Sequence, residues 1–294
     1  MKLATFETSP GHPRIGLIAA GGIIDIARHL PGTPADNLSL IATWTDWQEA
    51  LAGLASRNQA DLQLASVTLL APVPRPGKIL GIGLNYADHV AESGMAPPPA
   101  QLWFAKMPTA ANGPFAAIDL PLVSDALDYE AELAFVIGRR CRHVSREDAH
   151  RYIFGYCAAN DVTVRDWQFH TSQFLLGKSF DTHAPFGPWI VTADEIPDPH
   201  RLPIRCFVNG ELRQNSNTRH LVFDCFAQLE HLSKVMTLEP GDLVLTGTPG
   251  GVGWADKPTR ALHSGDRVRV EIDGIGAIEN VVQREEGASA GKKR

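Results

Sequence analysis

The sequence predicts a mainly β protein of the α+β class. Short apolar runs bounded by Gly, Pro, Asn or Asp recur along most of the chain, only a few segments have helical spacing, and the two kinds do not alternate as a parallel βαβ sheet requires. With 294 residues, 44% hydrophobic and 20% charged, the chain can bury a sizeable core.

Lys2–Phe6, Arg14–Ala19 and Ile23–Ile26 read as strands, with the turn Ala20-Gly21-Gly22 before the third. Trp47, Ala50, Leu51 and Leu54 recur at helical spacing and predict a helix over Asp46–Ala55. Pro72, Pro74 and Pro76 then forbid a helix and suggest a stiff linker. The expected division is a small N-terminal α+β domain over 1–72, a main domain over 73–284, and a flexible tail over 285–294 ending Lys292-Lys293-Arg294. In the main domain Leu133–Ile137, Trp189–Val191, Ile204–Val208, Leu243–Thr246 and Arg267–Ile272 read as strands. The Asn209-Gly210 turn should pair Ile204–Val208 with Leu212–Gln214 as a hairpin. Arg146–Ile153, Arg165–Phe174 and Cys225–Met236 read as helices.

A formal net charge of −6 without a basic stripe argues against nucleic acid as a partner. No apolar run approaches the ~18 residues of a membrane span, and Met1–Glu7 lacks the apolar stretch of a signal peptide. Cys141, Cys157, Cys206 and Cys225 form no CxxC pair and suit free thiols in a reducing compartment, so the expected location is cytoplasmic.

Glu130 and Glu132 run into a strand, where alternation turns both side chains to one face. Alone, that pattern also suits a solvated strand edge. Asp161 follows the apolar stretch Tyr152–Ala159, and a carboxylate buried there needs a partner or a metal. Three such carboxylates make a hard, all-oxygen site suited to Mg²⁺ or Mn²⁺. His89 and Glu92, three residues apart, share a face of a short helix; there a carboxylate would orient an imidazole as a general base, although an exposed pair has the same spacing. Arg165 and Gln168 follow Asp161 at distances that bring both near the metal end if a helix starts near Val162. Lys178 lies in what reads as a Gly-flanked loop. Gly247 and Thr248 open a glycine-rich loop whose amides could hold a carboxylate or an oxyanion.

The stretches GIGLNYADHVAE, LDYEAEL, NDVTVRD, GKSFDT and LTGTPGGVG, in this order between Lys78 and Val282, resemble the fumarylacetoacetate hydrolase family. The resemblance implies a mixed β-roll, usually dimeric, with Mg²⁺ or Mn²⁺ on Glu130, Glu132 and Asp161, and a His89–Glu92 dyad on a segment that often orders as a lid. It matches Lys178 to the family's active-site lysine, and Arg165, Gln168 and Thr248 to substrate-contacting positions. Tyr86 stands in its Asn-Tyr motif. Phe115 departs from the pattern, where a glycine is common, and puts the shape of one pocket wall in question. The implied activity is hydrolysis of the C–C bond of an acylpyruvate-like 2,4-dioxo acid. Oxaloacetate decarboxylation is the alternative, and a related 2-oxo acid isomerase or hydratase a third reading.

Overall fold

The computed structural model describes residues 1–94 and 99–287. A twelve-stranded sheet forms its spine. The main path runs Leu62–Gln63, Gly22–Asp25, Arg14–Ala19, Lys2–Glu7, Ala184–Thr192, Ile153–Asn160, Ala131–Ile137, Leu243–Leu245, Ile79–Gly83 and Leu102–Lys106. A five-stranded sheet, from Glu211–Asn217 through Pro203–Val208, Arg267–Ile272 and Gly276–Arg284 to Ile118–Leu120, packs against it. Most pairings are antiparallel, but Leu243–Leu245 runs parallel to Ile79–Gly83, so the large sheet is mixed, as the resemblance implies.

The strand Ala131–Ile137 shows how the layers form. It is buried on both faces, and alternation sends successive side chains into different cores. Leu133, Phe135 and Ile137 join Ile204, Val270 and Ile278 of the smaller sheet, whereas Ala134 and Val136 join Leu17, Leu51 and Leu54 of the N-terminal segment. Fully burying such side chains contributes ~1.5–3 kcal/mol each.

The N-terminal segment has the expected strands Lys2–Glu7, Arg14–Ala19 and Gly22–Asp25 and a helix over Trp44–Ser56. Its first strand pairs with Ala184–Thr192 through Lys2↔Val191 and Leu3↔Ile190, so the large sheet runs unbroken across the proline-rich stretch. The Asn209-Gly210 hairpin is present, with φ of 53° and 83° at the two turn residues and Phe207 opposite Leu212.

Two expected helices are corrected. Arg146–Ile153 contains only a 3₁₀ turn at Ala149–Arg151, because Ile153 is claimed by the central sheet. Arg165–Phe174 forms one turn, Arg165–Gln168, and then breaks at the polar run His170-Thr171-Ser172, whose residues make poor helix. The third helix spans Cys225–Val235, N-capped by the Asp224 carboxylate, which accepts from the Ala227 amide at 2.8 Å. No helix among the described residues is long and apolar enough to cross a membrane. Of the expected tail, 288–294 with its basic end lies outside the described residues; Glu285 is fastened to Leu120 and Leu122 by its amide and carboxylate.

Candidate active site

The pairing of Ala131–Ile137 with Ile153–Asn160 builds the acidic centre. Ala131 lies opposite Asn160, and one step outward the Asp161 amide donates to the Glu130 carbonyl at 2.8 Å. The pleat therefore puts Glu130, Glu132 and Asp161 on the face that Ala134, Val136, Cys157 and Ala159 occupy deeper in the sheet. All three carboxylates are buried, and one oxygen from each lies within 4.8 Å of the others.

Cations surround this cluster unevenly. Lys178 Nζ donates to Glu130 Oε2 at 2.8 Å and to Asp161 Oδ2 at 2.6 Å. Lys106 Nζ reaches Asp161 Oδ1 at 2.6 Å. Arg165 grips Asp128 through Nε and Nη2, and Glu130 through Nη1 at 2.6 Å. Among the described residues Glu132 alone pairs with no cation; it accepts the Gly247 amide at 2.6 Å. Among the described residues, three cations thus face four buried carboxylates.

The titration behaviour follows. Burial raises Glu130, but Lys178 and Arg165 outweigh it and hold the group at about 2. Burial, then Asp161 and Glu130, push Glu132 well above the carboxylate range. Burial lowers Lys106 despite Asp161, while in Lys178 the attraction of Asp161 and Glu130 overcomes burial and raises it. A cluster that concentrates negative charge on all-oxygen donors and leaves Glu132 uncompensated fits a hard divalent cation.

Two glycines are required by this geometry. Gly247 has φ +99°, and a Cβ there would lie 2.7 Å from Asn85 Cβ. A Cβ on Gly177 would lie 2.3 Å from the Gln168 amide nitrogen, so glycine lets the Lys178 turn close on the Arg165 turn. Lys178 ends a helical turn, Leu175–Lys178, which corrects the expected loop. The strand Thr163–Val164 precedes Arg165, so the helical turn starts at Arg165 and not near Val162; Arg165 still reaches Glu130 and donates to Gln168 Oε1 at 3.0 Å.

His89 and Glu92 lie on the helix Ala87–Ser93, with Nδ1 and Oε2 3.4 Å apart. Both Glu92 oxygens accept the Gly251 amide at 3.0 Å, which ties the dyad to the glycine-rich loop. Further along, Ser216 Oγ donates to Asp88 of the same helix at 2.5 Å. His89, Glu92, Glu130, Arg165, Gln168, Lys178 and Thr248 line one cleft of about 440 Å³, a size suited to a small organic ligand. Two expected contacts fall elsewhere. Tyr86 is fully buried, off the cleft wall, and the Gly247 amide is spent on Glu132 and is not free for an oxyanion. Phe115 is exposed and outside this cleft.

Four participants were not singled out from the sequence. Asp128 accepts Arg165 and the Gly253 and Trp254 amides, and it extends the alternation of Glu130 and Glu132 backwards by one step, a visible signal. Lys106 shares a strand face with Phe104, and a lysine inside an apolar strand was the available cue. Gln214, fully buried, accepts the Ala131 amide at 3.0 Å and donates to Thr248 Oγ1 and the Pro249 carbonyl at 2.8 Å. Lys257 also lines the cleft. Neither Gln214 nor Lys257 carries a local signal.

The family model described as "Fumarylacetoacetate (FAA) hydrolase C-terminal" matches residues 78–283. The mitochondrial oxaloacetate tautomerase of Xenopus laevis is 44% identical over 287 residues, covering 96% of this chain and 90% of that protein. Maleylpyruvate hydrolase from Sphingobium sp. SYK-6, solved with manganese(II) and pyruvate, superposes with TM-score 0.83 at 35% identity, covering 97% of this chain and 100% of that one. The 5-carboxymethyl-2-hydroxymuconate delta-isomerase of Mycobacterium smegmatis superposes with TM-score 0.76 at 35% identity, covering 98% and 100%.

Proposed function

The chain belongs to the fumarylacetoacetate hydrolase family and is an enzyme of it, and from that premise we propose that it cleaves the carbon–carbon bond of a small 2,4-dioxo acid of the acylpyruvate type. In this reading Glu130, Glu132 and Asp161 hold Mg²⁺ or Mn²⁺, and the working unit is a cytoplasmic homodimer. The observation that carries it is one cleft containing both a carboxylate of the buried acidic cluster and a carboxylate-oriented imidazole. The manganese and pyruvate in the maleylpyruvate hydrolase structure support the same assignment.

When bound, the cation supplies a Lewis acid that favours negative charge on the 2-oxo acid. Glu92, anchored by the Gly251 amide, faces His89 Nδ1 and leaves Nε2 to take a proton from water. The activated oxygen adds to the distal carbonyl, and the bond from that carbon to C3 breaks with its electron pair staying on C3. Protonation of C3 from the His89 imidazolium completes a 2-oxo acid and releases a carboxylic acid. Lys178 and Arg165 offset the carboxylate charge at the Glu130 end of the cleft and so lessen its repulsion of an anion, and Gln168 and Thr248 present polar groups to it.

The Xenopus laevis relative favours a second reading, tautomerisation of oxaloacetate. That reaction moves a proton between C3 and the 2-oxo oxygen, so it uses the imidazole without an attacking water. Decarboxylation of oxaloacetate would use the same site. Purified protein with Mg²⁺ or Mn²⁺ is therefore offered 2,4-dioxopentanoate and oxaloacetate in parallel. Pyruvate and acetate from the first are expected, with a ~10²–10⁴-fold fall in His89→Ala. Faster loss of the oxaloacetate enol absorbance, with 2,4-dioxopentanoate untouched, would replace hydrolysis by tautomerisation.

A further inference from the structure

The helix that carries His89 and Glu92 cannot hold its own position. It spans seven residues, Ala87–Ser93, and isolated helices shorter than ~12–15 residues are marginal in water. Its N-cap, Tyr86, makes no side-chain cap. Leu84, just ahead, has φ 54°, a left-handed conformation that leucine seldom adopts. Contacts outside the helix must therefore fix where His89 points.

Glu92 supplies one fastening, on the cleft side, through the Gly251 amide. Asp88 supplies another, toward the strand Glu211–Asn217, and it ends a hydrogen-bond chain whose direction follows link by link. Arg219 Nε can only donate, so His220 Nε2, 3.1 Å away, accepts. The His220 proton then lies on Nδ1, which donates to Ser216 Oγ at 3.1 Å. Ser216 gives its own proton to Asp88 Oδ2 at 2.5 Å. The other Asp88 oxygen, Oδ1, accepts the His89 amide at 2.8 Å, one of the first-turn amides that a helix leaves unpaired. The chain runs from a guanidinium to a carboxylate, with a charge-assisted bond at each end, and stops at the backbone of the proposed base itself. Its foundation is firm. Fully buried Thr218 opens the 3₁₀ turn Thr218–His220 with its hydroxyl on the Pro199 carbonyl at 2.8 Å, and the Val222 amide donates to the Asn85 carbonyl at 2.8 Å.

We propose that Asp88, Ser216 and His220 are positioning residues: their chain sets the pose of the helix Ala87–Ser93 and so aims His89 Nε2 into the cleft. None of the three lines that cleft, so they act only through His89. This rests on the proposed function in taking His89 as the group that accepts a proton, a role that hydrolysis and tautomerisation share.

The test compares Mn²⁺-loaded wild type with Ser216→Ala, His220→Ala and His220→Asn on whichever of 2,4-dioxopentanoate and oxaloacetate is turned over. The His220 side chain is 40% exposed, so its replacement leaves the core intact. In both alanine variants kcat is expected to fall about ten-fold, the size for a proton acceptor displaced by less than about 1 Å, with KM and Mn²⁺ affinity within about two-fold of wild type. His220→Asn, whose amide can stand in for the Nδ1 donor, should recover most of the loss. In a His89→Ala background Ser216→Ala should change nothing further, whereas general loosening of the structure would lower both backgrounds alike. Hydrogen exchange over Ala87–Ser93, read without any substrate, should be faster in Ser216→Ala. Wild-type kcat in both alanine variants, His220→Asn no faster than His220→Ala, equal falls in the two His89 backgrounds, or unchanged exchange over Ala87–Ser93 each overturns the positioning chain and leaves the proposed function standing. Near-normal turnover in His89→Ala overturns the proposed function instead, and the chain's role with it.

Discussion

Glu132 is the residue on which the charge balance of the site turns. Its neighbours Glu130 and Asp161 each have a lysine, whereas it has one amide hydrogen bond. The pattern Glu130-x-Glu132 was legible because strand alternation is a local rule, and Asp161 because an acid after a buried apolar run needs a partner. The absence of a cation at Glu132 was not legible, since it depends on where Lys106, Lys178 and Arg165 arrive in space. Another residue yields a cleaner pH test. His183 is fully buried beside the Asp119 carbonyl, and burial lowers its pKa to about 3. An unfolded histidine titrates near ~6.5. Between those values the unfolded chain binds more protons than the folded one, so this residue makes stability fall as pH drops below about 6.5, by up to ~1.4 kcal/mol per pH unit. Urea unfolding of wild type and His183→Gln from pH 7 to 5 should show a shallower acid slope in the variant; parallel slopes would contradict the neutral, buried imidazole.

At the scale of elements, the strand Glu211–Asn217 holds the site together without lining its cleft. Gln214 joins the start of the acidic strand to Thr248 and Pro249, and Ser216 fastens the helix that carries His89 and Glu92 through Asp88. The hairpin itself was predictable from Asn209-Gly210, a turn signal contained in two residues. Gln214's role was not, because its three partners lie in other segments. Gln214→Leu strands the buried Ala131 amide and frees Thr248 and the loop, a cost of about 1–3 kcal/mol per unpaired buried group. Chemical denaturation should register that loss, and kcat should fall while the variant still binds Mn²⁺. Wild-type stability and turnover in the variant would show that the strand does not support the site. The two overestimated helices teach the complementary lesson. Arg146–Ile153 has adequate local spacing, but the sheet takes Ile153, so tertiary demand overrides periodicity, whereas Arg165–Phe174 stops where its own residues His170-Thr171-Ser172 favour helix least.

Across the whole molecule, alternation of buried residues couples the N-terminal segment to the site. Ala134 and Val136, two and four residues after Glu132, pack with Leu17, Leu51 and Leu54, and Lys2–Glu7 extends the same sheet through Ala184–Thr192. The mainly β character was readable from run length and turn residues, but the continuity of the large sheet was not, because strand order is a long-range property. We propose that this scaffold offers three buried carboxylates to one hard cation on which turnover depends. It is tested most directly by stripping the protein exhaustively with chelator and returning Mn²⁺ in steps, following free Mn²⁺ by electron paramagnetic resonance and activity in the same samples. One tightly bound Mn²⁺ per chain is expected, with activity rising in proportion and levelling at one equivalent, and loss of both in Glu132→Gln. Full activity in the stripped protein, or Mn²⁺ uptake unchanged in Glu132→Gln, would contradict it.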